Sequence, residues 1–327
     1  MHLSVSEARA LSTGILTRHG YGPDDAELIT DVLVEAHLWD RPNSGLNHLP
    51  HVVEGHRERR AVSVIREDGR SVLLDGGNNP GFLVSSRAML MAIDKAKASG
   101  FAVAAARNAF LGGINGYYVS MAARRDLIGV MATSSGRRVA PAGGIDALFG
   151  TNPIAIAIPT LDEPIILDMS TAAINAGGLQ RAARLGREIP PGIAIGPDGE
   201  PTTDPKRGLE GAILPFGGHK GSGLSLVVQC LGALSGGMLI PEGLNDFGYF
   251  FLVFDPALFM PAGDYKRRTS EIVDHVRAVR PAAGVDRVRV PGERSLAARR
   301  HHLAEGIDID DPLHEELKRL LAAGRGN

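Results

Sequence analysis

The sequence predicts an α/β fold with a mixed sheet at its centre and helices at both ends. Two patterns and one bulk property carry that expectation. Short apolar runs alternate with Gly-rich turns through the middle of the chain, and helix-period segments occupy its two ends. The 327 residues, 44% of them apolar, can bury a substantial core.

At the start, Ser4 and Glu7 form a capping box before an amphipathic helix, and Pro23-Asp24-Asp25 opens a second helix towards Trp39, so the first 60 residues read as mainly helical. A short strand over Val72-Leu73-Leu74 precedes a dense turn signal from Asp75 to Gly81, then a helix from about Val84 to Lys97. Phe101 to Ala106, Leu127 to Thr133, Ile154 to Ile158 and Ile165 to Leu167 read as buried strands, with a helix between Ile114 and Arg124. Residues 175 to 215 form a long ordered excursion, rich in Gly, Pro and charge, suited to covering a site. The loop Gly217 to Gly223 leads into a helix from about Leu224 to Leu234, and Phe250 to Phe254 is one more strand. From about Lys266 the pattern returns to charged helices around a Val288-Arg289-Val290 strand.

Composition narrows the function classes. Thirty-five basic and 37 acidic residues give a formal charge of -2 with no extended basic surface, which argues against nucleic acid or an anionic membrane as partner. The single cysteine, Cys230, excludes an intrachain disulfide and suits a reducing compartment; its apolar neighbours suggest a buried thiol. No signal-peptide pattern and no apolar run near the roughly 20 residues of a membrane span are present, so a cytoplasmic protein is expected. Eleven histidines show no metal-ligand spacing, so no metal is expected; His48 with His51 and His301 with His302 are the close pairs. No Gly-x-Ser-x-Gly elbow supports a serine hydrolase.

Three loops suit a nucleotide. Gly217 to Gly223, ahead of a helix, offers backbone N–H groups and Lys220 to a phosphate, or is a Gly-rich turn with a solvated lysine. Leu111-Gly112-Gly113-Ile114-Asn115-Gly116 has strand-turn-helix context without Gly-x-Gly-x-x-Gly, and a tight connection accounts for it equally. Arg287, Arg289 and Arg294 flank a Pro-Gly-Glu turn that suits a 2'-phosphate or pyrophosphate, or is a solvated charged turn.

Five motifs in chain order, Gly150-Thr151-Asn152-Pro153, Leu167-Asp168-Met169-Ser170-Thr171, Pro201 to Pro205, Pro215 to Gly221 and Pro291 to Arg294, resemble those of the malate/L-lactate dehydrogenase family. The His219-Lys220-Gly221 stretch is closest in character to its cyclic-imine reductases. The resemblance implies a mixed-sheet, non-Rossmann NAD(P)-binding domain over 76–261, flanked by a helical dimerisation domain from 1–75 plus 262–327. It implies a homodimer that reduces C=O or C=N of a small carboxylated metabolite with NADP, or NAD, as cofactor. Cofactor contacts are implied at Leu111, Gly112, Gly113, Asn115, Ser134, Asp168, Met169, Ser170, His219, Lys220, Arg289 and Arg294. The family's Ser-His-Gly motif corresponds to Ser44-Gly45-Leu46-Asn47-His48-Leu49-Pro50, where its catalytic histidine is missing. A second histidine is lost at Asn108 to Leu111, and an Asp or Lys becomes Gly178. His48, with Ser44 as polar partner, is then the candidate proton donor or carboxylate anchor. Two alternatives stand beside it: a protonated imine substrate that needs no placed acid, and a dinucleotide-binding protein without turnover.

Overall fold

The computed structural model describes residues 1–54 and 58–323. The chain ends meet. Strand β1 (His2–Leu3) pairs antiparallel with β11 (Ile307–Asp308), and the terminal ammonium reaches Asp311 at 3.0 Å. Between them run α1 (Val5–Arg18), whose capping box at Ser4 and Glu7 forms as expected, and α2 (Pro23–Leu38), with Pro23 in its first turn. Two 3-10 turns, Pro42–Ser44 and Leu46–His48, lead into α3 (Leu49–Glu54).

The sheet begins with β2 (Ser63–Glu67) and β3 (Ser71–Pro80). The expected turn from Asp75 onward is instead strand: β3 runs on to Pro80, with a shift of register between Asp75 and Asn79 against its neighbour. There Gly77 adopts positive φ, and its backbone lies against Arg60 where a Cβ would collide. Helix α4 (Gly81–Ser99) carries the chain over to β4 (Phe101–Phe110), parallel to β3. Then come α5 (Asn115–Ala123), β5 (Ile128–Ser134), β6 (Ile154–Ile158) and β7 (Ile165–Met169). The excursion holds α6 (Ala176–Arg184), β8 (Ala194–Ile195), α7 (Pro205–Glu210) and β9 (Ala212–Ile213) around its own small core of Val139, Leu179 and Ile213.

Helix α8 (His219–Ala233) starts five residues before the expected position, because Gly217 and Gly218 already supply the turn with φ of 55° and 61°. Strand β10 (Gly248–Phe254) returns to the middle of the seven-stranded sheet, whose order is β2-β3-β4-β10-β5-β6-β7. Helices α9 (Ala262–Arg277), α10 (Glu293–Glu305) and α11 (Asp311–Ala323) complete the chain. Residues 288–290 form no strand but an irregular connection, and Arg287 and Arg289 are exposed.

Packing follows side-chain size. Ala102, Ala104 and Ala106 of β4 and Tyr249, Phe251 and Val253 of β10 are buried, the alanines letting α4 approach closely. Adjacent strand residues face opposite sides, so Tyr249 meets Gly81 of α4 while Gly248 meets Gly232 of α8. The sheet thus carries α4 and α5 on one face and α8 on the other. Outside α4 and α5 lies a layer from both chain ends, with α2 against α10 and α1 against α11. Cys230, expected to be buried, is exposed on the outer side of α8 with Leu226 (53%), Val227 (52%) and Leu234 (62%). Its apolar neighbours in sequence are its neighbours on an outward stripe.

Asn152, wholly buried, clamps the sheet to α8. Its Oδ1 accepts from the Ser135 amide at 3.2 Å, and its Nδ2 donates to Gln229 at 2.8 Å and to the Ser225 carbonyl at 3.1 Å. Asn152→Ala strands all three partners, and urea unfolding is expected to show a loss on the order of 3 kcal/mol.

Candidate active site

Strand β7 is the last of the sheet, and the segment that leaves it gathers the candidate residues. Asp168 lies near its end, open to solvent yet with protein packed around it. Its Oδ2 accepts the Gly116 N–H at 2.8 Å, one of the free donors in the first turn of α5. A Cβ at residue 116 would meet Trp39 at 3.0 Å and Asp168 at 3.1 Å, so glycine alone permits this approach. Trp39 donates its indole N–H to Glu35 at 2.9 Å, and Arg299 grips the same carboxylate with contacts of 2.7 and 2.8 Å. That network fixes one wall. Enclosure pushes the Asp168 carboxyl above the ordinary carboxylate range, opposed by the Gly116 amide and by the positive charge of Arg41. Arg41 is exposed and makes no ion pair with Asp168.

The neighbouring loop depends on His37. Its buried Nδ1 accepts the Leu46 N–H at 3.3 Å, and Gly45 packs so closely that a Cβ there would lie 2.2 Å from that nitrogen. Burial lowers the His37 pKa to about 4. His48 follows one turn later, its ring 6.1 Å from Phe82 and 6.3 Å from His51. Burial, then repulsion from His51, lowers its pKa to about 4, so it is neutral at pH 7. Among the described residues no hydrogen bond joins it to Ser44. Phe82 in turn touches the Leu111 to Gly113 turn, where a Cβ on Gly113 would lie 2.8 Å from its ring. Leu111 itself holds φ 54°, a costly conformation for leucine, and the Gly112 carbonyl accepts from Tyr118 at 2.8 Å.

The other candidates divide. Ser170 donates to the Thr151 carbonyl at 3.0 Å, and Asn115 meets Thr133 at 3.1 Å. Ser134 is buried against Gly248 and Gly232 and accepts the Gly248 N–H at 3.2 Å. The loop before α8 is tied to the same strand exit, because Phe216 N–H reaches the Thr171 carbonyl at 3.1 Å; His219 and Lys220 stand exposed beyond it. On the outer edge of β7, Ile166 N–H bonds the Pro291 carbonyl at 3.1 Å, which brings the Pro291 to Arg294 turn alongside. Arg289 is paired with Asp286 at 2.7 Å and Arg287 with Glu293 at 3.2 Å, whereas Arg294 is exposed and has no ion-pair partner among the described residues. Gly178 starts α6 under the Asn175 cap, and neighbouring Gly177 faces Asn43 of the His48 loop. Sequence reasoning gave no site role to Arg41, Trp39 or His37, and quoted Gly116 only as the end of the Leu111 loop. Only the glycine, in the first turn of a helix after a Gly-rich turn, carried a signal.

His37 sets an acid limit on stability. The folded chain refuses a proton that the unfolded chain accepts at the ordinary 6.5, so its contribution is complete above pH 6.5 and is lost as pH falls towards about 4. His37→Asn keeps an acceptor for Leu46 and removes the titration. Urea midpoints across pH 4 to 7 are expected to decline less in this variant, by roughly 3 kcal/mol.

Residues 3–318 match the malate/L-lactate dehydrogenase family. The chain is 35% identical to the L-sulfolactate dehydrogenase of Methanocaldococcus jannaschii, over 98% of this chain and 96% of that protein. It is 32% identical to a Δ1-pyrroline-2-carboxylate reductase of Pseudomonas fluorescens, over 98% of each. The crystal structure of the M. jannaschii sulfolactate dehydrogenase superposes with a TM-score of 0.90 at 34% identity, covering 98% and 97% of the two chains. Motif order, sheet architecture and whole-length similarity agree: the chain belongs to the malate/L-lactate dehydrogenase family.

Proposed function

We propose that this protein reduces the C=O or C=N of a small carboxylated metabolite, a 2-oxo acid or cyclic imino acid, with NAD(P)H. One observation carries the reading: the exit of β7 at Asp168 to Thr171 is hydrogen-bonded to the first turn of α5 and to the loop before α8, and the turn that leads to Arg294 is bonded to the outer edge of the same strand. The named activities of the relatives, on sulfolactate and on Δ1-pyrroline-2-carboxylate, bracket the two substrate classes.

The residues fit a dinucleotide. Gly217 and Gly218 leave open space before α8, and Lys220 is free to meet a phosphate; Leu111 to Asn115 and Asp168 to Ser170 line the cofactor's path on either side of α5. A bound nicotinamide supplies the hydride. Arg294, the one arginine of its turn without an ion-pair partner, favours NADP over NAD. His48 and Ser44 belong to the substrate side, His48 as a neutral hydrogen-bond donor. The helices before β2 and those after Pro261 form the flanking domain, and the sheet with α4 to α8 the cofactor domain; β2 and the start of β3, expected in the helical part over 1–75, belong to the sheet. The apolar stripe of α8, with Leu226, Val227 and Leu234 outward, suits burial in a homodimer.

A second reading, a dinucleotide-binding protein without turnover, is favoured by the missing family histidines and by the low pKa of His48. Trp39, the chain's only tryptophan, packs beside Gly116 at the Asp168 contact and reports on both readings. Titration with NADPH or NADH is expected to quench its emission saturably, with NADPH binding more tightly, and NADPH is expected to be consumed with oxaloacetate, sulfopyruvate or Δ1-pyrroline-2-carboxylate. Saturable binding with no consumption on any of the three selects the second reading; no binding of either dinucleotide refutes both.

A further inference from the structure

We propose that Arg299 is a positioning residue for the dinucleotide site, acting through Glu35 and Trp39 on the contact between Gly116 and Asp168. The inference rests on the dinucleotide reading above, and it holds whether or not the bound nucleotide is turned over.

A closed ring of contacts supports it. β7 is the last strand, so the sheet pairs Asp168 with Ala155 of β6 on one side only. The Asp168 carboxyl is tied to α5 by the Gly116 N–H at 2.8 Å. Gly116 in turn lies against Trp39, where a Cβ would come within 3.0 Å of the indole. Trp39 caps the end of α2 and donates its indole N–H at 2.9 Å to Glu35, one turn back on that helix. Arg299 of α10 engages both oxygens of Glu35, Nη2 to Oε1 at 2.7 Å and Nε to Oε2 at 2.8 Å. The ring returns to β7 at the start of α10, because the Pro291 carbonyl accepts the Ile166 N–H at 3.1 Å.

The Arg299 link is the one that joins the two ends of the chain. The side chains of Glu35 and Arg299 are only 12% and 26% exposed, and among the described residues each is the other's one ion-pair partner. His302, one turn along α10, donates to the Leu38 carbonyl at 3.0 Å, so α10 grips the last turn of α2 at two points. A planar guanidinium matches both carboxylate oxygens, which an ammonium does not. Without that fork, Glu35 keeps the indole N–H and loses the group that fixes its direction. Trp39 is then released from Gly116, and the β7 exit from Asp168 to Ser170 loses its backing. Helix-to-helix cement alone would lower stability and leave dinucleotide affinity untouched, so the distinguishing quantity is the coupling between Arg299 and Asp168.

Arg299→Met keeps the side-chain stem and removes the fork. Titration with NADPH and NADH, followed by nicotinamide emission, is expected to show about a three- to tenfold loss of affinity in this variant, with Arg299→Lys recovering part of it. Trp39→Phe is expected to lose affinity as well, and the addition of Arg299→Met to it, or to Asp168→Ala, to change affinity by less than about twofold while the drop in melting temperature persists. In free Arg299→Met the Trp39 emission is expected to shift to longer wavelength as the ring gains water. Unchanged affinity, an equal loss of affinity in all three backgrounds, or an unshifted emission overturns the inference. Where Arg299→Met melts too low for titration, Arg299→Lys carries the same cycle. No binding of either dinucleotide by the wild type instead removes the reading on which the inference rests, and the inference with it.

Discussion

The candidate site depends on an edge strand whose outer side is not left bare. β7 ends the sheet, and an unpaired edge normally invites pairing with another chain. Here the Ile166 amide is covered by the Pro291 carbonyl, and the exit of the strand is held by Thr151 and Phe216. These backbone bonds join segments far apart in sequence at one place. The site is therefore a by-product of finishing a sheet: the residues that close the edge also bring the arginine turn, the glycine loop before α8 and the first turn of α5 to Asp168.

Enclosure then acts on acid and base in opposite directions with one result. It raises the carboxyl of Asp168 and lowers the imidazoles of His37 and His48, so each is biased towards its uncharged form.

The architecture was largely legible in the sequence because it rests on local chemistry: the Ser4 capping box, Pro23 at the start of α2, and apolar runs bounded by glycine. It misled where tertiary contacts override local signals. Asp75 to Pro80 reads as a turn, yet pairing with β4 draws it into strand; Val288 to Val290 reads as a strand, yet among the described residues no strand pairs with it. Cys230 looks interior because its neighbours in sequence are apolar, and only the rotation of α8 turns it outward. The site was less legible than the fold. Asp168 stood out through its motif, whereas Arg41 and Trp39 acquire meaning only when the end of α2 meets the start of α5.

Glycine also governs what this scaffold tolerates. At residues 45, 116, 150 and 221 a Cβ would lie within about 3.1 Å of neighbouring atoms, much of it backbone. The main chain around Asp168 is thus held by positions that cannot drift: any side chain there costs the close approach itself, so variation is confined to the residues between them.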